Sequence, residues 1–97
     1  MASKQTQEIL DQLDGIRRRI DELRERWEGD HDVGAVIRGL DELSASSARY
    51  PSIEALLFGA ARLIERGEPP GKRLEKLADH LHGYTVGWED AAEAGAS

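Results

Sequence analysis

Four arginines, Arg17, Arg19, Arg24 and Arg26, recur at spacings that would set them along both edges of one apolar stripe on a helix. Such a border suits a carboxylate-rich protein surface or an anionic small molecule. Other chemistry-bearing residues are sparse. His80 and His82 lie two apart on an expected helix, about 200° around its axis, and are poorly placed to share a metal. His31, between Asp30 and Asp32, suits a solvated, capping turn better than a metal site. There is no Walker loop, GxGxxG, GxSxG or HExxH motif. Cysteine is absent, which removes disulfides, thiolate metal sites and a cysteine nucleophile. Neither a metal nor a cofactor is expected, and an enzyme is the less favoured class.

The element that must carry the arginines is the first helix. From Ser3 or Thr6 to about Trp27, apolar residues Ile9, Leu13, Ile16, Ile20, Leu23 and Trp27 follow a heptad pattern. With Leu13, Ile20 and Trp27 at a and Ile9, Ile16 and Leu23 at d, Arg17 and Arg24 fall at e, and Arg19 and Arg26 at g. Asp14, Asp21, Glu22, Glu25 and Glu28 fall on the outer face, and the pairs Asp14/Arg18, Arg18/Glu22 and Glu22/Arg26 are spaced for i,i+4 contacts. A symmetric coil of two such helices would set arginine against arginine, so an acidic-edged surface is the better match. Within the chain, Asp41, Glu42, Glu54 and Glu65 could supply it; a separate partner is the alternative. Gly29 is expected in the left-handed position that ends the helix.

Asp32 is a plausible N-cap for a second helix with Val33, Val36, Ile37, Leu40 and Leu43 on one face. Pro51 forces a break before the most apolar segment, Ile53 to Ile64, expected to be the central helix. Gly67-Glu68-Pro69-Pro70-Gly71 is a stop, and Leu74, Leu77, Ala78 and Leu81 mark a short fourth helix closed by Gly83. Beyond it Tyr84, Val86 and Trp88 alternate with Thr85 and Gly87, the pattern of an extended segment. The expected fold is all-α: a small bundle of three to four helices with a long amphipathic N-terminal helix and a short extended aromatic C-terminal arm. One helical domain spans 1–88, and an acidic, disordered tail spans 89–97.

Ninety-seven residues supply one core at most, and Leu, Ile, Val and Phe make up only about a fifth of them. A thin core favours an oligomer. The net charge of −6 opposes unaided adhesion to nucleic acid or an anionic membrane, and Arg17, Arg18 and Arg19 point to different faces of the helix. No apolar run approaches the roughly 18 residues of a membrane span, and Met1 to Gln5 does not lead into a signal-peptide core. The expected location is the cytoplasm, with export lacking a cleavable signal as the alternative.

Two short stretches resemble known families. Ile16-Arg17-Arg18-Arg19-Ile20-Asp21-Glu22-Leu23 resembles the first-helix pattern of the all-helical chorismate mutases. The resemblance implies a dimeric enzyme in which Arg17 helps hold the carboxylates of an anionic metabolite. Arg24 stands where that family has its next acid. Trp27-Glu28-Gly29 resembles the signature of the WxG family, small helical-hairpin proteins exported by type VII secretion, and implies a non-catalytic dimer. Pro51 and Pro69-Pro70 interrupt what would be that family's second helix, and Trp88 follows Tyr84 where its export signal has an acid.

The reading that joins these features is a non-enzymatic protein–protein interaction module: a small regulator, adaptor or chaperone-like protein, oligomeric, that binds a protein partner or itself. Its candidate partner-binding residues are Arg17, Arg19, Arg24, Arg26, Trp27, Tyr84 and Trp88. Packing of the arginine-bordered stripe and the aromatic segment within the chain is the alternative for each.

Overall fold

The heptad stripe becomes the inner face of the first helix, α1 (Lys4–Asp30), where Ile9, Leu13, Ile16, Ile20 and Leu23 are all buried. A computed structural model describes residues 4–96; Ser3 and Ser97 fall outside the described residues. Three further helices follow, α2 (Val33–Ser46), α3 (Pro51–Glu65) and α4 (Pro70–Ala96), with no strand among the described residues. The fold is a small all-α bundle.

Each turn is set by local chemistry. His31, not Gly29, takes the left-handed conformation after α1, with φ of 52°. Its N–H donates to the Trp27 carbonyl at 2.9 Å, and the two rings lie 5.0 Å apart. Asp32 then caps α2 as expected, accepting from the Ala35 N–H at 3.1 Å. At the other end of α2, the Ser47 hydroxyl donates to the Leu43 carbonyl at 2.8 Å, and the Ser44 hydroxyl crosses to the Glu54 carbonyl on α3 at 3.0 Å. Pro51 opens α3 at a position whose N–H would have no helical partner. Gly67 ends α3 with φ of 107°; its N–H donates to Ile64, and that of Glu68 to Leu63, closing a Schellman motif.

Side-chain neighbours fix the topology. Trp27 near the end of α1 lies against Gly71 at the start of α4, while Trp88 on α4 sits beside Thr6 and Ile9 at the start of α1. These two long helices are therefore antiparallel and paired along their whole length. Glu8 on α1 pairs with Arg49 just after α2, at 3.6 Å, and Asp41 on α2 pairs with Arg62 on α3, at 2.6 Å. An up-down-up-down bundle results, α1 against α4 and α2, and α3 against α2 and α4. Leu40, Leu57, Leu74 and Leu81 are fully buried in the single core. The molecule measures 46 × 22 × 16 Å. Its long dimension is close to the roughly 40 Å of a 27-residue helix.

The extended aromatic arm is not present. α4 continues through Gly83 and Gly87, neither with positive φ, and carries Tyr84 to Trp88 as helix. Leu74, Leu77, Leu81, Tyr84 and Trp88 recur at intervals of three and four, so the residues that alternate over a five-residue window also extend a helical stripe. Once α4 has nucleated, each added residue gains a hydrogen bond, and α1 offers a surface to pack on. Thr85 is buried, and its hydroxyl donates to the Leu81 carbonyl one turn back at 3.0 Å. Residues 89–96, expected to lack structure, continue the same helix.

Nothing lies within 4 Å of where a β-carbon on Gly83 would stand. In this helix interior Gly83→Ala is expected to stabilise the protein by about 0.5–1 kcal/mol, raising Tm by several degrees in thermal melts. A glycine that stopped the helix in a left-handed turn would give the opposite sign. Leu57→Ala, at a fully buried site, is expected to cost about 2–5 kcal/mol in chemical denaturation.

Candidate functional site

The arginines of α1 divide between the two edges of its stripe. Arg17 and Arg24 are half-buried, whereas Arg19 and Arg26 are exposed. Arg19 and Arg26 join Arg38 of α2 around an open cleft of about 420 Å³ between the two helices. Glu22 and Glu42 also line it, with Leu23, Gly39 and Leu43 among its apolar surface. Glycine at 39 permits the close approach, since a β-carbon there would stand 2.5 Å from Leu23 Cδ2.

Two of the four acidic neighbours considered for this edge are engaged elsewhere. Asp41 and Glu65 both pair with Arg62, Glu65 at 3.2 Å. Glu42 alone of the four lines the cleft. Arg19 reaches Glu22 on its own helix at 3.9 Å, and Arg18 reaches Asp14 at 3.0 Å. No ion pair engages Arg17, Arg24, Arg26 or Arg38 among the described residues. The stripe itself is covered by the chain's own helices, so it is closed to a second α1.

The aromatic candidates separate as well. Trp27 is partly buried, closing the core beside Gly71 and His31, and Tyr84 packs partly buried against the same core, its ring 5.3 Å from that of His80. Trp88 is 38% exposed and Val86 40%, both on the distal half of α4. Trp88 borders a shallow cleft of about 350 Å³ with Thr6, Ile9, Arg49 and Tyr50. The arginine cleft and this aromatic end lie at opposite ends of the bundle, separated along α1 by roughly 23 Å at 1.5 Å per residue.

Three further features stand out, of which only the third, an i,i+4 pair, carries a sequence signal. Arg38 completes the cleft only because α2 returns antiparallel beside α1. Arg62 meets a carboxylate 21 positions earlier in the chain. Phe58, 51% exposed, lies under the Arg62 guanidinium, which is 4.7 Å from the ring centre. The histidines gather no ligand set: no group of three His, Cys, Asp or Glu suited to a metal occurs among the described residues. Trp27-Glu28-Gly29 lies within the last turns of α1, and the turn falls at His31-Asp32. No helix among the described residues is long and apolar enough to cross a membrane.

No family model, curated protein or solved structure matches the chain.

Two populations of arginine follow from these contacts. Arg26→Ala and Arg38→Ala, at exposed and unpaired positions, are expected to change stability by less than about 0.5 kcal/mol in urea titrations. Arg73 is bound to Glu68 at 2.5 Å, both side chains only 20% exposed. Arg73→Ala is expected to cost about 1–3 kcal/mol, because Glu68 loses its partner in a largely desolvated turn.

Proposed function

We propose that this chain is a non-enzymatic interaction module that acts as an oligomer, in the cytoplasm, with protein rather than nucleic acid or membrane as its partner. One observation carries the reading: the core closes without Trp88. The buried cluster and the side chains packed on it include Trp27 and Tyr84, but Trp88 and Val86 stay on the surface of the distal half of α4. Tryptophan offers a large rigid contact area with few rotatable bonds and is enriched among residues that dominate binding energy. Glu89, Asp90 and Glu93 surround it with charge that keeps the segment solvated until it is covered. The net charge of −6 favours a protein partner over a polyanion.

The alternative, an enzyme that clamps an anionic metabolite, would need Arg17 and Arg24 to converge with a lysine such as Lys72 or Lys76 on one pocket. The cleft along α1 instead gathers Arg19 and Arg26 with Arg38, without Arg17, Arg24 or either lysine. It is the less supported of the two.

Sedimentation velocity from micromolar to hundreds of micromolar protein tests the proposal. A concentration-dependent dimer or larger species is expected. Trp88→Ala is expected to weaken it by at least about 2 kcal/mol, roughly thirtyfold, while far-ultraviolet circular dichroism stays that of the wild type. Loss of helicity in parallel with association would make Trp88 part of the fold instead.

A further inference from the structure

We infer that the arginine cleft between α1 and α2 is the receptor for the acidic distal segment of α4, Trp88 to Glu93, from a second copy of this chain. This rests on the interaction reading above and names its partner. The argument begins with charge segregation. After Lys76 the sequence contains no lysine or arginine, yet Asp79, Glu89, Asp90 and Glu93 follow. The end of α4 therefore adds carboxylates to the negative pole of its own helix, and no basic residue lies in its last turn. At the other end of the molecule, Arg19, Arg26 and Arg38 line one cleft with Glu22 and Glu42, so cations outnumber carboxylates there by three to two, and Arg26 and Arg38 have no ion pair among the described residues.

The two features match in chemistry but cannot meet within one chain. α1 and α4 are antiparallel, which holds Trp88 beside Thr6 and Ile9, roughly 23 Å along α1 from the arginines. That separation exceeds twice the Debye length of about 8 Å at physiological ionic strength. A second copy laid antiparallel alongside the first brings each acidic α4 end to the other's arginines. A two-fold axis then satisfies both clefts at once and closes the assembly as a dimer rather than a filament. The guanidiniums at the rim of the cleft match Glu89 and Asp90. The arrangement uses the arginine border without facing it with itself, as a zipper of two α1 helices would.

A charge-swap experiment tests this on the full chain. R26E/R38E and E89K/D90K are each expected to weaken self-association about tenfold or more in sedimentation velocity, with circular dichroism unchanged. An equimolar mixture of the two is expected to recover a heterodimer, because each of its two clefts then meets a segment of opposite charge. Wild-type association is expected to weaken as sodium chloride is raised, a measurement independent of how any variant folds. A dimer that Trp88→Ala weakens but that charge reversal and salt leave unchanged would overturn this inference and preserve the interaction reading. A chain that stays monomeric throughout would overturn both, and reversals that weaken the dimer without recovery on mixing would overturn the cleft-to-segment pairing.

Discussion

Burial of the apolar stripe on α1 is the contact on which the rest of the molecule depends. Five buried aliphatic residues lie on that one helix, and each contributes about 1.5–3 kcal/mol by leaving water. The stripe runs nearly the full length of α1, and no single short helix can cover it. α4 matches it in length at 27 residues, while α2 and α3, with 14 and 15, fold back to fill the remaining sides. Continuation of α4 past Gly83 is a consequence of the same demand. Stopping there would have left the N-terminal part of the stripe, Ile9 above all, without its partner helix.

The same geometry decides which charges are spent inside the molecule. Where the helices approach closely, cation and carboxylate meet. Arg62 engages Asp41 and Glu65, and Arg73 engages Glu68 in the turn before α4. Between α1 and α2 the backbone of Gly39 lies close against Leu23, while Arg26 and Arg38 on the rim of the groove are left facing solvent. The arginines nearest the chain's longest apolar stripe are thus among the least committed to the fold. They border the stripe and contribute little to closing it.

Sequence periodicity was a good guide wherever one period was sustained. Six stripe residues over about five turns defined α1, and the cap at Asp32 and the break at Pro51 were readable because each satisfies a specific backbone requirement. It misled over Tyr84 to Trp88, where five residues fit periods of both 2 and 3.5. Packing against α1 decided between them, and that contact is invisible until the chain is folded. Gly83 was misleading for a related reason, since glycine ends a helix only where a left-handed turn is needed. His31 met that need after α1 despite Gly29 standing two residues earlier. Of the candidate site, the placement of Arg19 and Arg26 on a shared edge was legible from the heptad. Arg38 was not, because its arrival depends on how α2 returns.

The connections constrain what kind of function such a bundle can host. Only two residues join α1 to α2, and four join each later pair. His31 and Asp32 are occupied in ending one helix and starting the next, Ser47 and Tyr50 in the second turn, and Gly67 and Glu68 in the third. Binding and catalytic groups are commonly carried on loops held by a rigid scaffold. Here the loops are committed to capping, which leaves helix faces and helix ends as the places where side chains remain uncommitted. Those surfaces present side chains in fixed rows at fixed spacing, which suits the reading of another helix. The two regions with chemistry left over, a cationic groove between helices and an acidic aromatic helix end, are complementary in that sense.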